Sequence, residues 1–107
     1  MVEEIAAVEL KEKFDDGDDF QLIDVRQPDE FAFAKIEGAK LIPLGEIIRR
    51  MDELDSEKEV IVHCKMGGRS ARAIEALRSA GYTGTLKNLR GGITAWSNEV
   101  DPKVPKY

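Results

Sequence analysis

Val60-Ile61-Val62, three apolar and β-branched residues in succession, run into His63-Cys64-Lys65-Met66-Gly67-Gly68-Arg69-Ser70. Ala71 to Ala80 then follow at helical spacing and Gly81 closes them. So short an apolar run, ended by a glycine turn, reads as a strand buried on both faces. A buried strand leading through a tight turn into a helix implies parallel pairing through right-handed crossovers. The rest of the chain keeps this alternation. Phe20 to Val25, Lys40 to Ile42 and Thr85 to Leu89 read as further strands. Helices are expected over Glu9 to Phe14, Asp29 to Lys35, the amphipathic set Ile47, Ile48, Met51 and Leu54, and Ile93 to Val100. Ala73, Ala76, Leu77 and Ala80 are expected on the buried face of the helix after the glycine turn. Pro102 and Pro105 put the tail in an extended form.

At 107 residues the chain is long enough for one core without disulfides or a structural metal. Its 16 basic and 21 acidic residues leave a net charge of −5. No basic stripe with interleaved aromatics is present, which argues against a nucleic-acid partner. No run has the length of a membrane span, and the first residues lack the layout of a signal peptide. No repeat, low-complexity stretch or second domain is visible. One cysteine cannot form an internal disulfide, so a reducing cytoplasm is the expected location. One Cys and one His cannot assemble the usual zinc ligand sets, and neither a metal nor a cofactor is expected.

In open parallel sheets a site lies at the carboxyl ends of the strands, where the Cys64 turn falls. Backbone N–H groups of a glycine turn and the following helix N-terminus form an anion cradle. A cysteine at its entrance is favoured as the thiolate, the nucleophilic form. Adjacent strand residues point to opposite faces, so His63 is expected to pack or hydrogen-bond rather than act as base on Cys64. Activation is therefore expected from backbone dipoles together with Lys65 and Arg69. Gly67 and Gly68 are expected to supply positive φ angles. The alternative for Cys64 alone is an inert buried side chain; the glycines and flanking cations weigh against it. Arg72 and Arg78 read equally well as a solvated helix face. Trp96 and Phe31 read as packing residues and Lys35 as a solvated lysine.

Cys64 to Ser70 resembles the active-site loop of the rhodanese family of sulfurtransferases. In the family's order it is joined by Asp24-Val25-Arg26 with Glu30-Phe31 and by Gly38-Ala39 with Ile42-Pro43. Leu89-Arg90-Gly91-Gly92-Ile93 with Ala95-Trp96 completes the set. The resemblance implies a single domain over 1–107, with 101–107 as an extended tail. It also implies an α/β fold with a central, mostly parallel five-stranded sheet and helices on both faces. Cys64 would take a sulfane sulfur from an anionic donor such as thiosulfate. Lys65, Met66, Gly67, Gly68 and Arg69 would bind the substrate, and Asp24 and Arg26 would form a supporting charge network below the loop. With no second cysteine, the sulfur must leave to another molecule.

Ala34-Lys35 stand where many members carry Gly-His, and Leu41 where they often carry Asn. With the ending Val100-Asp101-Pro102 to Pro105-Lys106-Tyr107, these departures resemble the rhodanese domain fused behind ubiquitin-activating-type adenylyltransferases. The partners so implied are a sulfur-carrier protein and a fused or separate adenylyltransferase, in molybdopterin, thiamine or tRNA thiolation pathways. Two other readings exist: a non-catalytic module on the same fold, and a cysteine phosphatase or arsenate reductase. The phosphatase loop is one residue longer than the four residues Lys65 to Gly68 between Cys64 and Arg69. The shorter cradle suits sulfur better than a phosphoryl group.

Overall fold

The computed structural model describes residues 2–107, so Met1 lies outside the described residues. Five strands form one sheet: β1 (Glu4–Ile5), β2 (Phe20–Asp24), β3 (Lys40–Leu41), β4 (Glu59–His63) and β5 (Leu86–Leu89). Their spatial order is β1-β5-β4-β2-β3 and each pairing is parallel. The expected mostly parallel sheet is thus parallel throughout. Three α-helices lie between strands, α1 (Ala7–Asp16), α2 (Pro28–Phe33) and α3 (Gly68–Ser79), and α4 (Gly92–Glu99) follows β5.

β4 is central, with Glu59 to His63 paired to Phe20 to Asp24 of β2 on one side and Val60 to Val62 paired to Leu86 to Asn88 of β5 on the other. Its pleat divides the core. Val60 and Val62 join Ile23, Ala73, Ile74 and Leu77 on the α3 face. Ile61 points the other way, into Leu10, Leu22, Leu89, Ile93 and Trp96 under α1 and α4. Each such aliphatic side chain taken from water stabilises the fold by about 1.5–3 kcal/mol.

Three expectations change. β1 pairs with β5 through Asn88 N–H to Glu3 O at 2.8 Å and Arg90 N–H to Ile5 O at 2.9 Å. It lacks the apolar run that marks β4, so it was not foreseen as a strand. The helix expected around Ile47 to Leu54 is instead two 3₁₀ turns, Leu44–Glu46 and Met51–Glu53. Its N–H groups mostly reach back three residues: Glu46 to Pro43, Ile47 to Leu44, Met51 to Ile48 and Leu54 to Met51. Gly45 and the adjacent β-branched Ile47 and Ile48 are weak helix formers. Burial of Ile47 and Leu54 holds the segment down regardless, while Ile48 stays exposed. On α3, Ile74 is buried, whereas Ala76 is half-buried and Ala80 exposed. Arg78 is exposed on the helix face, as one of its two readings had it, and its Nη1 donates to Tyr82 O at 3.0 Å and Gly84 O at 2.7 Å.

Candidate active site

β4 ends at His63 and delivers Cys64 to the carboxyl edge of the sheet. The chain then turns through Gly67, at φ +112°, a conformation that L side chains rarely adopt, and α3 begins at Gly68. Gly68 takes no positive φ, contrary to expectation. The Gly67 N–H points at Cys64 Sγ at 3.0 Å.

The direction of the loop's N–H groups has a cause on α4. Ile93 N–H binds Cys64 O at 3.0 Å and Thr94 N–H binds Lys65 O at 3.1 Å. A planar trans peptide sends its N–H opposite to its C=O. Tying the Lys65 carbonyl to α4 therefore turns the Met66 N–H to the other side, towards the sulfur. Gly92 permits this approach. A Cβ there would stand 2.5 Å from both the Cys64 and Lys65 carbonyl oxygens.

Ser70, in the first turn of α3, completes the cradle. Its Oγ lies 3.3 Å from Cys64 Sγ, 3.2 Å from Gly67 O and 2.5 Å from Asn88 Oδ1. One hydroxyl proton cannot serve three acceptors. With the thiol protonated, S–H can donate to Oγ while Oγ–H donates to Asn88; with the thiolate, the hydroxyl can turn to sulfur. Asn88 Nδ2 also holds Gly67 O at 3.1 Å, so one β5 side chain steadies both partners of the sulfur.

Burial pushes the Cys64 thiol up, but the Ser70 hydroxyl and the Ser70, Gly67 and Met66 N–H groups together outweigh it. The net direction is down, towards thiolate. Lys65 and Arg69 are occupied elsewhere. Arg69 makes a two-pronged ion pair with Glu30 at 2.7 and 2.9 Å, and Lys65 Nζ sits 4.6 Å from the Tyr107 ring centre. The thiol's main support is thus hydroxyl and backbone, where the sequence had pointed to backbone and cations. Met66 projects outward at 67% exposure, so its contribution to the cradle is its backbone.

Below the loop, Asp24 and Arg26 are fully buried. Arg26 Nε reaches both Asp24 oxygens at 2.9 and 3.0 Å, and Nη2 reaches Asp24 Oδ2 and Ala34 O, each at 2.6 Å. His63 Nε2 lies 3.6 Å from the same carboxylate, while Nδ1 faces Cys64 O at 3.3 Å. Burial holds His63 below its ordinary value, against the raising effects of Asp24 and the Cys64 carbonyl. It is a neutral packing residue at the strand end, as expected, and its ring nitrogens address Asp24 and a carbonyl rather than Sγ.

Glu30, Ser70, Asn88 and Tyr107 received no role from sequence reasoning. Glu30 had a signal in the capping pattern of α2, where its Oε1 accepts the Gln27 N–H at 2.9 Å. Its carboxyl is held down to about 2, chiefly by Arg69. Lys35 is exposed, with its Nζ over Phe31 at 5.2 Å, and Trp96 is buried edge-on to Phe14, so both read as expected. The described residues contain no group of His, Cys, Asp and Glu that could hold a metal ion, and no helix among them is long and apolar enough to cross a membrane.

The family model described as a rhodanese-like domain matches residues 6–99. The chain belongs to the rhodanese-like domain family. A sulfurtransferase of Allochromatium vinosum is 38% identical over 104 residues, 97% of this chain and 96% of that protein. The probable adenylyltransferase/sulfurtransferase MoeZ of Mycobacterium tuberculosis is 37% identical over 101 residues, 92% of this chain. The chain spans only 23–38% of such longer relatives. A crystal structure of a rhodanese-like domain protein from Staphylococcus aureus superposes with a TM-score of 0.83 at 30% identity, covering 99% of each chain. The family and α/β fold implied by the ordered motifs both hold.

Proposed function

We propose that this chain is a sulfurtransferase whose Cys64 carries sulfur as a persulfide. The observation that carries the reading is the cradle round Sγ: Gly67 N–H at 3.0 Å, Ser70 Oγ at 3.3 Å and a thiol shifted towards its anion. With thiosulfate as donor, the Cys64 thiolate attacks the sulfane sulfur and forms the S–S bond. The donor's own S–S bond breaks and its electron pair leaves with sulfite. The outer persulfide sulfur is anionic, and the same N–H groups are suited to hold it. A nucleophilic acceptor then attacks that sulfur, and the electron pair of the broken bond returns to Cys64 as thiolate. With a nucleophilic acceptor such as cyanide no redox partner is required.

In this reading Cys64 is the catalytic residue. Met66, Gly67 and Gly68 line the cradle, Lys65 and Arg69 favour anionic reactants at its mouth, and Asp24 and Arg26 support the strand end beneath it. The biological acceptor is an adenylated sulfur-carrier protein, where the roles reverse: the outer persulfide sulfur attacks the acyl-adenylate carbon and AMP leaves. Two external thiols then reduce the acyl disulfide to the carrier thiocarboxylate and the Cys64 thiol, themselves becoming a disulfide. The likeness to MoeZ supports this acceptor, since that relative's name pairs an adenylyltransferase with a sulfurtransferase. The chain then acts as one domain in a reducing cytoplasm, alongside a fused or separate adenylyltransferase.

Incubation with thiosulfate followed by intact-mass analysis tests the first step. One added sulfur is expected, lost on reduction and absent in Cys64→Ser. No adduct with any sulfane donor would leave a binding module in place of an enzyme. For the second step, transfer to cyanide should be slow beside transfer to an adenylated carrier; equally fast transfer to cyanide would count against a carrier-directed role.

A further inference from the structure

Both cations of the Cys64 loop lead to one aromatic side chain outside it. Lys65 Nζ lies 4.6 Å from the centre of the Tyr107 ring, within cation–π range. The Tyr107 hydroxyl donates to Glu30 Oε2 at 2.7 Å, and that carboxylate clamps Arg69 at 2.7 and 2.9 Å. The same hydroxyl accepts from Arg26 Nη1 at 2.8 Å. Arg26 is fully buried, so the phenol oxygen satisfies a guanidinium N–H that water does not reach. Phe33 meets the ring edge-on at 5.9 Å.

We propose that Tyr107 is a positioning residue: it holds Lys65 by its ring, and Arg69 through Glu30, at the mouth of the Cys64 loop, and so sets the loop's preference for anionic reactants. A lysine loose in solvent spreads its charge over many rotamers, whereas one stacked on a fixed ring keeps it in one place. The hydroxyl acts on Arg69 by holding the carboxylate that orients it. The proposal deepens the sulfur-transfer reading, because an anionic donor is what such a mouth would select.

Alkylation tests it without requiring turnover, since Cys64 is the only cysteine. Iodoacetate is an anion and iodoacetamide is neutral; both lose iodide to the same thiolate, so their rate ratio at low salt reads the local field. Tyr107→Ala is expected to lower that ratio by about threefold or more, with added salt erasing the difference. Lys65→Ala lowers it as well, and the double substitution falls by less than the product of the two. Tyr107→Phe keeps the ring, loses the hydroxyl and shows a smaller drop; it also serves if the alanine variant does not fold. Either Tyr107 variant, folded by circular dichroism, with an unchanged or raised ratio overturns the proposal. Failure of sulfuration with every donor would sink the sulfur-transfer reading while leaving this ratio intact, so the two failures are distinct.

Discussion

Ser70 has one hydroxyl proton among three acceptors, and the fate of that proton separates a reactive thiol from an inert one. A hydrogen bond to a charged group is worth about 1.5–3 kcal/mol. Ser70→Ala is therefore expected to cut the thiolate fraction at neutral pH by about tenfold or more. The pH dependence of Cys64 alkylation measures this, and a variant that titrates like the parent would refute it. Asn88→Ala should alter the same titration, because the hydroxyl and the Gly67 carbonyl both lose their anchor on β5. Cys64 and Gly67 were legible because their types have few other uses in a strand–turn–helix setting. Ser70 was not, since a serine in a first helical turn has many ordinary roles. Asn88 was hidden by distance: it comes 18 positions after Ser70 and meets it only once β5 lies beside β4.

α4 acts on the site through its first turn, which binds the Cys64 and Lys65 carbonyls and so aims the loop's N–H groups. Gly92→Ala puts a Cβ 2.5 Å from both oxygens at φ +57° and should destabilise by about 1–3 kcal/mol. Gly68→Ala meets open space at a helical position and is expected to be neutral or stabilising by up to about 1 kcal/mol. Urea unfolding midpoints of the two variants check the contrast, and equal effects would count against it. The alternation of strands and helices was readable because β2 and β4 carry short apolar runs and α3 carries the helical period. β1 was not, since two residues show no period and owe their strand to β5. The Ile47 to Leu54 segment misled for the opposite reason: its apolar spacing is helical, yet burial of Ile47 and Leu54 is satisfied by 3₁₀ turns.

Across the whole molecule, groups that the fold keeps from taking up protons link stability to pH; Glu53 and Glu59 are held down by their basic partners, and His63 and Glu30 lie beside the site. Folded His63 stays neutral below its ordinary value of 6.5, while the unfolded chain binds that proton. Glu30 stays ionised down to about 2, against 4.5 ordinarily. In both cases the unfolded state holds more protons, so stability falls as pH falls. The His63 contribution declines from pH 6.5 downwards, and the Glu30 contribution between 4.5 and about 2. Urea midpoints should follow this course, with His63→Gln flattening the upper window and Glu30→Gln reducing the slope of the lower, where Glu53 and Glu59 still contribute. A parent protein whose stability is level from pH 7 to 3 would contradict it.

The central claim is that the fold holds Cys64 as a thiolate ready to accept sulfur. Titrating this single thiol by thiolate absorbance, in the folded protein and again in denaturant, tests it most directly. The account predicts a folded midpoint below the denatured one. A folded midpoint equal to or above the denatured one would contradict it.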